Sequence, residues 1–457
     1  MPARKIVGKL QVRSVSVIGL GKLGMPLAAC IANKGFKVYG IDRNLHIVRQ
    51  LNRGRTNLVE PHLNKLIHMN RERLRASRNY DEAISNSQIT FIAVETPAER
   101  NGNFSLRYVR QACESIGRSL SKKHSYHLVV VTSTVLPGSV EQEVKPIIER
   151  YSHMQCGKDF GLCYNPEFIA LGSAIHDLTH PDFVLIGESD QKAGDLLASF
   201  YKRFCDNNPP MARMNFVNAE ITKLAVNTYV TTKITFGNML ARICEKIPGA
   251  HVDVITSALG QDSRIGNKYL KGAIGYGGPC FPRDNLALSY LARKLNLRAS
   301  LAEATDRSNR KEVSHIAQMV KANSNVRKNV GILGLSYKPN TDVVEESQGL
   351  LLAQSLSRDG YKVIVYDPVA MTNAKKILGT KLRFAHSLKE CIKKTDVIVI
   401  TTPWDEFHRL PINILKRSKN PKTIIDCWRI LDSRICDGIL TYVPLGVSLN
   451  GATELLT

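Results

Sequence analysis

Two doubly wound parallel α/β sheets joined by an all-helical middle are what this sequence predicts, on three observations. At 457 residues the chain exceeds what a single hydrophobic core organises. A succession of strand, glycine turn, helix and acid-ended strand opens the chain at Ser14 and restarts at Asn329. Between the two copies, from about Met211, the β-branched runs give way to glycine-poor stretches with apolar residues at helical spacing. The expected division is 1–210, 211–325 and 326–457.

The first element is Ser14-Val-Ser-Val-Ile, a β-branched run entering Gly19-Leu20-Gly21-Lys22-Leu23-Gly24, after which Met25–Asn33 reads as a helix. Strand before and helix after is the setting in which such a turn cradles a dinucleotide. Gly19 permits the tight turn, Gly21 leaves room for a pyrophosphate, Gly24 lets helix and strand close up, and the helix N-terminus offers unpaired N–H groups to phosphates. The segment is therefore Rossmann-like, with residues 19–24 as candidate cofactor contacts. A second strand, Lys37–Asp42, ends on a carboxylate 18 residues past Gly24, near the spacing that holds a ribose diol. That carboxylate repels a 2′-phosphate, which favours NAD over NADP; adjacent Arg43 is the one feature pointing the other way. Strands at Ile89–Val94 and Leu128–Val131 end in Thr96 and Thr134, hydroxyls at carboxyl ends where open parallel sheets bind ligands. Phe160–Tyr164 leads into Asn165-Pro166-Glu167, which aims Glu167 at the same crevice.

In the middle, Asn218–Ile243 predicts a long helix. Lys223 and Asn227 lie four apart on one face of it, able to reach one ligand; the alternative is a Glu220–Lys223 surface pair. Asp284–Leu295 and Leu301–Ala322 predict further helices, and this middle is the candidate dimer interface. The third part repeats the first at Asn329–Leu335, Lys362–Asp367 and Asp396–Pro403. It lacks the full glycine triplet, so it is expected to hold something other than a dinucleotide. Lys338 sits in its first loop, where it can meet a phosphate or a sugar.

Composition narrows the function classes. With 43% hydrophobic and 23% charged residues, and no run of 18 apolar residues, the chain reads as globular and non-membrane. The first ten residues carry no apolar segment long enough for a signal peptide, so the expected location is cytoplasmic. Ten cysteines without Cys-x-x-Cys or paired Cys/His spacing point to reduced thiols and to no metal. The net charge of +23 is concentrated partly in Arg43–Arg78, expected to be a solvated basic helix face. Nucleic acid is disfavoured as a partner, because aromatic interleaving is thin and no recognition motif occurs.

One stretch does not belong to the α/β pattern. Tyr269–Asp284 has glycines at 272, 275, 277 and 278, a loop whose bare backbone lets something approach closely, and ends at Cys280 with Asp284 four residues on. A thiol so presented beside an ionisable group suggests a nucleophile.

The glycine triplet, Ser133-Thr134-Val135, Asn165-Pro166-Glu167-Phe168, Lys223-x-x-x-Asn227, Gly277-Gly278-Pro279-Cys280-Phe281-Pro282-Arg283-Asp284 and Lys338-Pro-Asn-Thr-Asp together resemble the UDP-glucose/GDP-mannose dehydrogenase family, over about residues 14–432. The resemblance implies NAD-dependent, metal-free, four-electron oxidation of a nucleotide sugar's C6 alcohol to a carboxylate. It implies that Cys280 forms a thiohemiacetal and then a thioester, that Lys223 with Asn227 stabilises the oxyanion, that Asp284 and Thr134 hold a water used in proton transfer, and that Glu167 is the base for thioester hydrolysis. Glu167, Phe168, Ile169, Lys223, Asn227, Tyr269, Leu270, Lys271, Gly277, Phe281 and Lys338 match the nucleotide-sugar pocket, and Arg264 matches a position that crosses a dimer interface. A UDP-sugar, UDP-glucose first, is the expected substrate, with UDP-N-acetylhexosamine and GDP-mannose as alternatives. A non-catalytic nucleotide-binding protein is the competing class. The chain departs from the family pattern at Leu171, where many members carry a second glutamate, at Glu345-Glu346-Ser347, where an arginine usually leads, and at Asp426-Cys427-Trp428-Arg429, where Asp-Gly-Arg is usual.

Overall fold

The structure, a computed structural model, describes residues 12–324, 329–411, 422–432 and 440–448. The N-terminal ten residues, expected to carry no leader, lie outside these. The chain forms two compact units that divide after Leu224.

In the first unit, β1 (Ser14–Ile18), α1 (Gly24–Asn33), β2 (Lys37–Ile41), α2 (Leu45–Asn52), α3 (Leu63–Met69), β3 (Leu74–Ser77), α4 (Tyr80–Ser85), β4 (Ile89–Ile92), α5 (Arg107–Leu120) and β5 (Leu128–Val131) build the dinucleotide-type half. It continues through α6 (Lys145–Ser152), β6 (Gly161–Tyr164), α7 (Ala174–Thr179), β7 (Val184–Glu188), α8 (Gln191–Phe204) and β8 (Met211–Met214) into α9 (Phe216–Cys244). Strands β4, β5 and β6 are buried at every position, as strands covered on both faces must be. The sheet order is β3-β2-β1-β4-β5-β6-β7-β8, so the direction of winding reverses between β1 and β4, and the crevice of the sheet opens at their carboxyl ends. Asn44, Asn79 and Asp190 cap α2, α4 and α8 by accepting from the amides of His46, Glu82 and Ala193.

Two findings differ from the sequence expectations here, and one alternative the sequence left open is ruled out. The sheet is not wholly parallel: β7 runs antiparallel to β6, and β7 with β8 extends the sheet beyond the expected strands. The basic segment 43–78 is exposed at every arginine, but its charges are spread over α2, α3 and the edge strand β3 instead of one helix face. Arg75 on that edge blunts strand-to-strand association. Finally, Glu220 and Lys223 do not form a surface pair, since both are buried on α9.

In the second unit, α10 (Val252–Gln261), α11 (Phe281–Lys294) and α12 (Ser300–Asn323) accompany the rest of α9 in the helical middle; α10 had no counterpart in the sequence reading. The second sheet follows with β9 (Asn329–Leu333), α13 (Gln348–Arg358), β10 (Lys362–Tyr366), α14 (Met371–Leu378), β11 (Arg383–Phe384), α15 (Leu388–Lys393), β12 (Val397–Ile400), β13 (Lys422–Asp426) and β14 (Leu440–Pro444). Its order, β11-β10-β9-β12-β13-β14, repeats the winding of the first, and all its pairings are parallel. The glycine turn is repeated with a long excursion in it. A Cβ on Gly24 lies 1.8 Å from the Gly19 oxygen, and one on Gly349 lies 2.2 Å from the Gly334 oxygen. The second turn therefore makes the same contact between strand and helix while holding residues 335–348 between its glycines.

Candidate active site

At the carboxyl end of β1, Gly19 has φ +90°, a conformation that side chains resist, and donates its amide to the Ile41 carbonyl (2.8 Å). A Cβ on Gly21 meets nothing within 4 Å, which leaves the open approach a pyrophosphate needs at the start of α1. Asp42 follows β2; its Oδ2 accepts from the Leu20 amide (2.9 Å) and its Oδ1 from the Asn44 amide (2.8 Å). Those bonds fix the carboxylate and leave lone pairs on both oxygens for ribose hydroxyls. Arg43 lies 4.5 Å from the Tyr108 ring centroid. Thr96, after β4, donates to the Thr134 carbonyl (2.8 Å), so the two strand-end threonines are brought together. Lys22 and Leu23 complete the turn, and these residues fit a dinucleotide.

Glu167 follows β6 within the same unit. Its Oε1 is 3.0 Å from the Tyr201 hydroxyl on α8. Burial pushes its carboxyl up to about 7, against the pull of Tyr201 as a donor and of the Lys223 charge. The Lys223 ammonium reaches the backbone carbonyl of Glu167 at 2.5 Å and lies 4.4 Å from the Phe168 ring. Phe168 packs on Phe183 at 4.9 Å, and Ile169 rests on the core below the sheet. Leu171, one of the departures noted in the sequence, is half-buried, and the following Gly172 amide bonds Glu60 (2.7 Å).

The thiol is presented in the second unit. Cys280 is exposed, immediately before the first turn of α11. Asp284, one turn on and 0% exposed, accepts from Asn227 Nδ2 (2.6 Å) and from Arg283 Nε (3.0 Å). The glycines before it are bare for a different reason than expected: what approaches them is the protein. A Cβ on Gly275 lies 2.5 Å from Asn309 Oδ1, and one on Gly277 lies 2.3 Å from the Glu346 oxygen. The loop is held residue by residue. Arg429 bonds the Gly272 carbonyl (2.5 Å), Asn238 the Ala273 amide (2.9 Å), and the Glu345 carbonyl the Gly278 amide (2.9 Å). Asn309 takes both the amide (2.8 Å) and the carbonyl (2.9 Å) of Tyr276, and Gln348 donates to the same carbonyl (3.0 Å).

Of the other expected pocket residues, Tyr269 and Phe281 meet edge to face at 6.2 Å, Leu270 is buried, Lys271 is exposed and Lys338 is half-buried. Arg264 extends into solvent and pairs with Asp262 (2.6 Å). Sequence reasoning missed Tyr201, Asn238, Asn309 and Gln348. A polar side chain on a helix reads as surface unless its buried partner is known. Arg429 was noted only as a departure. With Asp253 (2.8 Å), Leu445 (2.7 Å) and Gly272 on its guanidinium and 5% of its side chain exposed, it is a strut of the loop. Among the described residues no cluster of three or more His, Cys, Asp or Glu is placed to hold a metal, and no helix is long and apolar enough to cross a membrane.

Fold and glycine turn define a Rossmann-type dinucleotide-binding protein with a second sheet of the same winding. Comparison with known proteins takes this further. The NAD-binding, central and UDP-binding domain models of the UDP-glucose/GDP-mannose dehydrogenase family match residues 13–205, 217–311 and 331–433. UDP-glucose 6-dehydrogenase of Haloferax volcanii is 33% identical over 92% of this chain and 97% of its own, and GDP-mannose 6-dehydrogenase of Pseudomonas putida 32% over 87% and 93%. The solved UDP-glucose dehydrogenase of Pyrobaculum islandicum superposes with a TM-score of 0.86 at 32% identity, covering 97% of this chain and all of that one. The chain belongs to the UDP-glucose/GDP-mannose dehydrogenase family, the nucleotide sugar 6-dehydrogenases.

Proposed function

We propose that the protein oxidises C6 of a UDP-sugar, UDP-glucose first, to the carboxylate in two steps through a covalent intermediate on Cys280. The observation that carries this reading is the thiol itself: exposed, at the start of α11, on a loop pinned by four side chains from separate parts of the chain. Bound NAD supplies the hydride acceptor for each oxidation. The thiol is needed because an aldehyde has no transferable hydride until a nucleophile makes its carbon tetrahedral. Thiohemiacetal formation restores one, and the thioester that follows retains the substrate between cofactor exchanges. Lys223 supplies positive charge for the oxyanion, and Asn227 holds Asp284, which with Thr134 positions a water. Glu167, titrating near neutrality, is suited to draw a proton from the water that cleaves the thioester.

The same proposal divides the chain at about 210 and 325 and assigns the nucleotide to the second sheet through Lys338, with Tyr269, Leu270, Lys271, Gly277 and Phe281 beside the sugar. Exposed Tyr229, Phe236 and Ile243, seven residues apart on one face of α9, are the surface a second copy would cover, with Arg264 reaching toward it. GDP-mannose is kept as a second substrate, because the relatives of both activities match almost equally well. Absorbance at 340 nm with a panel of UDP- and GDP-sugars and NAD identifies the substrate. UDP-glucose is expected to give the highest kcat/KM, and a preference for GDP-mannose refutes the UDP assignment.

A further inference from the structure

We propose that Arg43, laid on the Tyr108 ring, is the shelf on which the adenine of the dinucleotide stacks, and that Tyr108 is the positioning residue that holds this shelf in place. The inference goes beyond the reading of the thiol. It concerns the cofactor crevice of the first sheet alone and stands whichever sugar is oxidised.

Topology sets where a base can go. The turn at residues 19–24 receives the pyrophosphate and Asp42 the ribose diol, so the base continues past Asp42, between the chain leaving β2 and the chain leaving β4. The end of β4 closes against that turn, since a Cβ on Gly19 would lie 2.8 Å from the Ala93 carbonyl oxygen. Arg43 is the residue after Asp42, and Tyr108 stands in the first turn of α5, the helix that follows β4. Their contact, with the guanidinium carbon over the ring at 4.5 Å from its centroid, therefore joins the two sides of the place the base must occupy.

Burial shows which surface is left to a ligand. Tyr108 is half-buried and its neighbour Val109 is 0% exposed, so the ring is seated at a fixed helix start; Arg43 is exposed. The guanidinium thus lies with one face on the ring and the other open. A planar, delocalised cation in that position stacks on a purine, as a compact ammonium does not. Tyr108 foremost, then Asp42 and Glu95, which follows β4, favour its charged form.

The same geometry decides between two roles for this arginine. Beside a ribose-holding acid it could instead be a hand for a 2′-phosphate. Here it is laid on Tyr108, while Asp42, fixed by the amides of Leu20 and Asn44, keeps its negative charge at the ribose.

Calorimetry on the full-length protein without sugar separates these roles, using ADP-ribose and 2′-phospho-ADP-ribose as probes. Arg43→Ala is expected to raise the Kd for ADP-ribose about tenfold. Arg43→Lys, which keeps the charge and loses the plane, is expected to behave as the alanine variant does. Tyr108→Leu is expected to weaken binding similarly, and Tyr108→Phe, which keeps the ring, to bind within about twofold of the parent. Parental affinity in Arg43→Ala or Arg43→Lys, equal affinities in Tyr108→Leu and Tyr108→Phe, or a parent that does not bind ADP-ribose overturns the proposal. So does a loss in Arg43→Ala confined to the 2′-phosphorylated probe, which would make Arg43 a phosphate contact.

Discussion

Glu220 shows how a single carboxylate can be misread from sequence. It sits one turn from Lys223 on α9, and the spacing suggests a solvent pair. In the fold its two oxygens instead accept the amides of Gly138 (2.6 Å) and Val140 (2.8 Å), capping the turn that leads into α6. Burial pushes its carboxyl up to about 7, the two amides pulling back only partly. The unfolded chain releases this proton near the ordinary 4.5 and the folded chain only near 7. The folded state therefore binds more protons between those values, and stability falls as pH rises through that window. Glu220→Gln removes the titration and sets an NH2 group against one of the two amides. Urea unfolding is expected to show the variant less stable at pH 5 by about 1–3 kcal/mol, with a smaller decline toward pH 7.5 than the parent. Equal pH slopes contradict the burial argument.

At the scale of elements, the loop before α11 is rigid because its anchors are distributed. Asn238 comes from α9, Asn309 from α12, Gln348 from α13 and Arg429 from the end of β13. Three residues around it, Tyr269, Glu346 and Arg429, hold positive φ of 60°, 49° and 56°, a strain that persists only where surrounding bonds over-determine the backbone. Arg429→Lys keeps the charge, but one ammonium cannot span Asp253, Leu445 and Gly272 together. The expected result is a loss of roughly 2–3 kcal/mol in stability and a fall in kcat of roughly tenfold or more with KM for NAD unchanged, read by urea melts and steady-state kinetics. A KM effect alone makes Arg429 a ligand contact instead of a strut. None of this cage was legible beforehand, since its members are scattered over nearly two hundred residues and each reads as a helix-surface or turn residue. The glycine turns were legible, because close backbone approach excludes side chains locally and leaves its mark in consecutive residues.

Across the whole molecule the two sheets repeat one design with one alteration. Asp42 and Asp367 stand at matching strand ends, each accepting the amide just past the first glycine of its turn. Asp42 keeps lone pairs available, whereas Asp367 is buried, bonded by Leu335, Ser336 and Ala370 and covered by the Trp404 indole (3.2 Å), so its carboxylate is spent within the protein. Buried lysines also recur: Lys123 donates to the Ile84 and Ser87 carbonyls, and Lys422 to those of Ile392 and Thr395, closing the same helix end three residues apart in both sheets. The repeat of strand, turn and acid was readable from β-branched runs and glycines. The antiparallel β7 was not, because a buried strand carries the same apolar pattern whichever way it runs.

What the chain is proposed to do with this design comes down to electrons counted per sugar. With UDP-glucose limiting and NAD in excess, the absorbance at 340 nm is expected to plateau at two NADH per sugar for the parent protein. Cys280→Ala, folded as the parent is, is expected to fall short of two and to yield no uronate. A plateau at one NADH per sugar in the parent, or at two in Cys280→Ala, contradicts the covalent two-step oxidation.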